Sequence, residues 1–291
     1  MQQIGASELI INKRGAIYHL NLRPEELADT VITVGDPDRV QRVSRHFDRI
    51  EHKHQHREFI THTGYIGGHR LSVISTGIGP DNIDIVLNEL DALVNIDLNT
   101  RFVRDTPKTL RIVRIGTSGA LQEDIPVDSF VASTHGIGMD NLLHFYRVGS
   151  QEEEREILQA FETQTQLHNH LSHPYIYSAS MGLLRQFTEG FHHGMTVTCP
   201  GFYGPQGRVL RLGLALPGFN DALTRFRIGN HRITNFEMET AAIYGLGRAL
   251  GHQCLSLNVI VANRVTKTFS ADSEAAVGKL ITHTLDLLVR N

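Results

Sequence analysis

Cysteine, surplus basic charge and long apolar runs are all scarce in this sequence, and each scarcity removes a class of protein. Two cysteines, Cys199 and Cys254, are too few for a disulfide framework. One bridge stays open to them, but reduced thiols are the simpler expectation. With 28 Lys and Arg against 31 Asp and Glu, the formal net charge is -3, so no broad basic surface attracts nucleic acid. No stretch approaches the ~20 apolar residues of a membrane span. Residues 1–15 hold no apolar run of signal-peptide length, so a soluble, cytoplasmic protein without membrane partners is expected. Repeats, low-complexity tracts and Pro/Gly/Ser linkers are absent too, which predicts one domain over residues 1–291.

What is present is enough apolar material for a large core: 41% of 291 residues are hydrophobic. β-Branched runs at 31–34, 71–75, 111–115, 130–133 and 255–261 read as strands. Between them lie amphipathic stretches. Ile83, Val86, Leu87, Leu90 and Val94 recur at helical spacing, as do Val277, Leu280, Ile281 and Leu288. This alternation predicts an α/β protein, a mixed central sheet covered by helices, with ligands at the loops after the strands' carboxyl ends. Residues 97–108 are polar and contain Pro107, and read as an exposed excursion.

Four stretches carry chemistry. Gly35-Asp36-Pro37-Asp38-Arg39 follows a strand and opens a helix, where glycine admits close approach, the helix N-terminus favours an anion, and Arg39 adds a charge-assisted contact. Alone, it reads equally well as an ordinary turn capped by Asp36. Arg114-Ile115-Gly116-Thr117-Ser118-Gly119 ends another strand, with two hydroxyls between glycines and an arginine able to follow the strand to the same place. Such donors suit an anion, yet the Gly-Lys-Ser/Thr ending of a nucleotide P-loop is missing. Glu237-Met238-Glu239 sits where a strand feeds a helix, and an extended backbone there would aim both carboxylates to one side. Acids at a helix start are also favoured by the macrodipole alone. Finally, residues 199–208 fix a Gly/Pro-rich loop presenting Phe202 for stacking and Gln206 and Arg208 as edge-reading groups, a set suited to a flat heterocycle.

Together and in this order, the four stretches resemble the nucleoside phosphorylase family, and the Gln206/Arg208 loop resembles its uridine phosphorylase branch. The resemblance runs from Tyr18-His19-Leu20 to Asn263-Arg264. It implies a single-domain three-layer α/β/α fold and phosphorolysis of a pyrimidine nucleoside, with inorganic phosphate as co-substrate and no cofactor. Phosphate would be bound by Gly35, Arg39, Arg57, Arg114 and Thr117. Ribose would be held by His19, Glu237, Met238 and Glu239, and the base by Phe202, Gln206, Arg208, Val261 and Ala262. Arg208, Gln206, Arg114 and Glu239 would carry the catalytic step. His19 and Arg57 would reach across a subunit interface, making a homodimer the minimal active unit and a hexamer a further assembly. Bacterial relatives with an interface potassium site continue Gly-Pro-Ser where this chain has Pro80-Asp81-Asn82, so no metal is expected. The purine branch places an aspartate near Asn263-Arg264, and this chain has none there.

Other readings compete. His52, His54 and His56 alternate, which on a strand would put three imidazoles on one face, as in some metal hydrolases. A solvated polar strand is the plainer account. Cys199 as a nucleophile lacks an assignable base, and its neighbour Pro200 suggests packing. His192-His193 reads as surface. A purine phosphorylase, a nucleosidase of the same fold, or a non-catalytic nucleoside binder remain alternatives, though the nucleosidases need no phosphate cradle and a degenerate binder would have lost phosphate arginines. The excursion at 97–108 and the stretch 147–173 lie outside the resemblance.

Overall fold

A computed structural model describes residues 2–167 and 173–290; the end of the uninterpreted 147–173 stretch, residues 168–172, lies outside the described residues, as do Met1 and Asn291. The five runs read as strands are buried and form β1 (Thr30–Val34), β4 (His69–Ser75), β7 (Arg111–Ala120), β8 (Phe130–Gly138) and β13 (Gln253–Asn263). Around them lie β2 (Arg49–His56), β3 (Phe59–Ile66), β9 (Tyr175–Ser178), β10 (Phe191–Thr198), β11 (Arg227–Ile228), β12 (His231–Glu237) and β14 (Thr268–Phe269). The path of the sheet is β11-β12-β10-β8-β13-β7-β1-β4-β3-β2. The sheet is mixed: β4, β1, β7 and β13 run parallel, whereas β8 opposes β13.

The helices are α1 (Pro37–Ser44), α2 (Pro80–Asn95), α3 (Glu152–Thr165), α4 (Met181–Leu184), α5 (Phe219–Arg225), α6 (Thr240–Ala249) and α7 (Ser273–Val289). On one face α6 lies against β8, β10 and β13 and carries α2; on the other α7 packs on β7 and β13, giving three layers. The predicted apolar faces are the buried ones: Ile83, Val86, Leu87 and Leu90 on α2, Val277, Leu280, Ile281 and Leu288 on α7. The polar 97–108 excursion is largely exposed and contains a small hairpin, β5 (Ile96–Asp97) with β6 (Phe102–Val103). Stretch 147–173 contributes α3.

One closure matters for function. Besides β10, β12 also pairs with β7, Asn235 opposite Ala120 and Phe236 opposite Gly119, so β7, β13, β8, β10 and β12 close into a ring. Gly119 is where the strands cross: a Cβ there would lie 2.9 Å from the Phe236 ring. The closure brings the acidic end of β12 against Gly119 and Ala120 of β7, the strand that carries Arg114.

Candidate active site

The strand ends and the turns after them enclose a cavity of about 750 Å³. Twelve of the residues singled out from sequence line it: Gly35, Arg39, Arg114, Thr117, Phe202, Gln206, Arg208, Glu237, Met238, Glu239, Val261 and Ala262. His19 and Arg57 do not. His19 is bound to α2, its Nδ1 2.6 Å from Glu89 Oε1, and Arg57 is exposed at the β2–β3 turn with φ 54° and its guanidinium over Tyr18.

At one end of the cavity sits a guanidinium pair. Asp36 caps α1 by accepting from the Asp38 amide, as the turn pattern suggested, and Arg39 then projects from the first helical turn. Arg39 Nη1 reaches the Ile115 carbonyl at 3.3 Å, but its buried Nε has no hydrogen-bond partner among the described residues. Burial, and next the charge of Arg114, lower the pKa of Arg39. A buried donor in a cation repelled by a second cation is chemically suited to an anion.

Arg114 explains its spacing from Gly116. The two share a face of β7, and the guanidinium folds back over the glycine, so a Cβ at position 116 would sit 2.0 Å from Nη1. Nη2 meets Glu239 Oε2 at 2.5 Å and Glu237 Oε2 at 3.2 Å. Burial opposes the Arg114 charge, but the two carboxylates outweigh it and its pKa is raised.

The two acids do face one way, though each is separately fastened. Glu237 accepts from Thr198 Oγ1 and from the backbone amides of Glu239 and Thr240. Glu239 Oε1 accepts from the Gly79 amide at 2.8 Å, at a backbone φ of 95° that favours glycine. Burial raises the Glu239 pKa, with Arg114 opposing.

Across the cavity the 199–208 loop holds the third group. Arg208 Nη1 donates to the Phe202 carbonyl (2.7 Å) and to Gln206 Oε1 (2.6 Å), and its guanidinium lies 3.7 Å from the Phe202 ring centroid. It makes no ion pair among the described residues. Burial, then Arg264, pulls its pKa down to about 10, so it stays cationic at neutral pH. Ser118, the second hydroxyl of the Gly116–Gly119 segment, and Asp36 also line the cavity, as do Glu58, Asn82 and Phe269, which were not assigned from sequence. Glu58 was signalled by its place beside Arg57, whereas Asn82 and Phe269 carry no local pattern.

One competing reading changes, and the packing reading of Cys199 agrees with the structure. The histidine face of β2 is half-buried rather than solvated, because His19 and Glu26 lie against it: His54 Nε2 is 3.3 Å from Glu26 Oε1, and His56 Nδ1 is 3.1 Å from the His19 carbonyl. Glu26, His52 and His54 do cluster. Glu26, however, is gripped by both terminal nitrogens of Arg14 at 2.7 Å and by the Arg23 amide, and these outweigh burial to bring its pKa to about 2. A divalent cation there would be forced against Arg14. Cys199 and Cys254 are free and buried; burial pushes both thiols up, the second to about 12, which is the reverse of an activated nucleophile.

The arrangement is chemically suited to an anion beside Arg39 and Arg114, a polar group facing two buried carboxylates, and a flat group beside Phe202 and Arg208. The chain belongs to the phosphorylase superfamily, whose model matches residues 29–289. It is 28% identical over 279 residues to a uridine phosphorylase of Thermococcus kodakarensis, covering 91% of this chain and 84% of that one. A DeoD-type purine nucleoside phosphorylase of Streptococcus suis is 24% identical over 83% of this chain and 84% of its own. Among solved structures, a nucleoside phosphorylase of Trypanosoma brucei described as showing uridine phosphorylase activity superposes with a TM-score of 0.88 at 32% identity, covering 97% of this chain and 100% of that one.

Proposed function

We propose that the protein catalyses phosphorolysis of a pyrimidine nucleoside, uridine plus phosphate to uracil plus ribose-1-phosphate. The observation that carries this is the Arg39–Arg114 pair, with the Arg39 Nε buried and without a hydrogen-bond partner among the described residues, in the same cavity as two buried glutamates and the Gln206–Arg208 loop. Phosphate sits on Gly35, Arg39, Arg114 and Thr117, and one of its oxygens attacks the anomeric carbon. The glycosidic C–N bond breaks with its electron pair going to the base, and the carbon inverts. Met238 and Glu239, with Glu237 beside them, hold the ribose; Phe202, Val261 and Ala262 flank the ring. Gln206 and Arg208 face the uracil oxygens, where negative charge accumulates, so their contacts strengthen in the transition state. No cofactor is required, and the setting is cytoplasmic; among the described residues no helix is long and apolar enough to cross a membrane.

A pyrimidine is favoured over a purine by the fate of Asn263. Its amide donates to the Gln122 and Ile125 carbonyls at 2.8 Å, and its oxygen accepts from the Val265 and Thr266 amides. This committed neutral side chain leaves no acid at 261–264 to protonate a purine ring nitrogen. The test is to incubate the protein with uridine, thymidine or inosine, with and without phosphate. Phosphate-dependent release of uracil is expected; phosphate-independent release would mean a nucleosidase, and inosine turnover above uridine a purine enzyme.

His19 and Arg57 complete the site of a second subunit, His19 at the ribose 5' hydroxyl and Arg57 at phosphate, which makes a dimer the active unit within any hexamer. Mixing Arg57→Ala and Arg208→Ala chains tests this. In a mixed dimer one site has both arginines and the other neither, so a statistical 1:1 mixture regains about one quarter of wild-type activity. If Arg57 serves its own subunit, mixing restores nothing.

A further inference from the structure

The Arg114 guanidinium is fixed on its third side by a residue that no motif marks. Asn258 lies on β13 opposite Gly116 of β7, and Ser256 lies opposite Arg114. Because position 116 has no side chain, the Arg114 guanidinium occupies the space above it and reaches across to the neighbouring strand. There Nη1 donates to Asn258 Oδ1 at 2.7 Å, with Ser256 Oγ at a longer 3.4 Å. Asn258 is fully buried, and its Nδ2 is turned back to Ser256 Oγ, which in turn bonds Thr240 Oγ1 at 2.8 Å. The amide oxygen therefore points at the arginine by the constraint of its own network.

Charge explains why the acceptor is neutral. Arg114 already meets Glu237 and Glu239, which together balance Arg114 and Arg39. A third carboxylate on Arg114 would leave the cavity end negative and set against an incoming phosphate dianion. An amide gives the guanidinium the same geometric stop without that charge.

We propose that Asn258 is a positioning residue for phosphate: it holds Arg114 over Gly116 in the orientation that receives the anion while adding no negative charge. The proposal rests on the phosphorolysis reading and assigns a role to a residue outside the expected site.

The isosteric Asn258→Asp and the truncating Asn258→Ala separate charge from packing. Their kinetics are measured against phosphate and uridine from pH 5.5 to 8.5, each as a ratio to wild type. Asn258→Asp is expected to raise KM for phosphate about tenfold or more at pH 8, as a buried like charge beside the anion does. Its KM for uridine, and kcat at saturating phosphate, should stay within about threefold, since the chemistry at the base is untouched. The phosphate ratio should fall toward unity at low pH as the aspartate protonates, whereas Asn258→Ala should show a smaller, pH-independent rise. A wild-type phosphate KM in Asn258→Asp overturns the proposal. So does a pH-independent loss spread over kcat and both KM values, which marks a structural role. A thermal-shift titration with inorganic phosphate keeps the two readings apart. If wild type lacks phosphorolysis yet is stabilised by phosphate while Asn258→Asp is not, the function falls and the positioning role stands. If phosphate stabilises both equally, the positioning role falls.

Discussion

Replacing Arg208 by alanine removes the positive charge beside which the departing base becomes anionic. Its guanidinium has no carboxylate partner among the described residues, lies 3.7 Å from the Phe202 ring centroid and also supports the Gln206 carboxamide at 2.6 Å. An unneutralised cation acts at full strength, so its removal resembles the loss of an oxyanion donor, about 2.7–4 kcal/mol or 10²–10³ in kcat. Releasing Phe202 from the stacked guanidinium adds roughly 0.5–1 kcal/mol. The expected loss is therefore about 3–5 kcal/mol, a hundredfold to several-thousandfold. Steady-state release of uracil measures it, but slow turnover alone does not separate transition-state stabilisation from a misplaced loop. 5-Fluorouridine does, because its more acidic base needs less help to leave. The Arg208→Ala defect should shrink on that substrate if the arginine stabilises the developing anion. A defect below tenfold on uridine, or an equal defect on both nucleosides, would refute the reasoning.

Gly116→Ala places a Cβ 2.0 Å from Arg114 Nη1 and must displace the guanidinium; a rise in phosphate KM of about tenfold, with an overpacking cost of about 1–3 kcal/mol in urea unfolding, is expected. An unchanged phosphate KM would show that Arg114 does not act from this pose. Arg248→Ala strips the fully buried Glu154 of its bidentate partner, held at 2.6 Å on both oxygens, and should cost about 3–5 kcal/mol in unfolding free energy. Phosphate and uridine KM should be unchanged, since Arg248 lies on the last turn of α6 and Glu239 before its first; Glu154→Gln in the same chain should recover part of the loss.

How much of this was legible in the sequence depended on whether a residue's role is local. Strands β1, β4, β7, β8 and β13 announce themselves because burial on both faces demands unbroken apolar, β-branched runs. β10 does not: its first half, Phe191-His192-His193-Gly194, looks like surface, and its burial is confined to Gly194 through Thr198. The same holds for the site. Arg39 and Arg208 stand at tight turns marked by glycine and proline, Arg114 lies two residues before Gly116 within β7, and Glu239 follows the end of β12. Asn258 sits inside Leu255–Val261 with nothing around it to show which face it takes, and only its register against Gly116 gives it meaning. The β12–β7 pairing that brings the acids to the arginines is equally invisible, because it joins residues more than a hundred positions apart.

That pairing has a consequence for how the two substrates bind. Arg114 Nη2 is held at 2.5 Å by Glu239 Oε2, so the oxygen that would accept ribose hydroxyls and the nitrogen that would donate to phosphate bind each other. An anion arriving beside Arg39 competes for that nitrogen. As it takes over, Oε2 is freed while Oε1 stays anchored on the Gly79 amide, and the carboxylate keeps its place. The nucleoside then no longer bears the cost of breaking the ion pair. Binding of an inert tetrahedral dianion such as sulfate should therefore tighten uridine binding, by a coupling of about 1–3 kcal/mol, and uridine should tighten sulfate by the same factor. Calorimetric titration of uridine at zero and saturating sulfate measures the coupling without turnover. Glu239→Gln weakens the hold on Arg114 and should abolish most of it. An unchanged uridine Kd in saturating sulfate would mean that Glu239 and Arg114 serve their substrates independently, and that their short contact is merely structural.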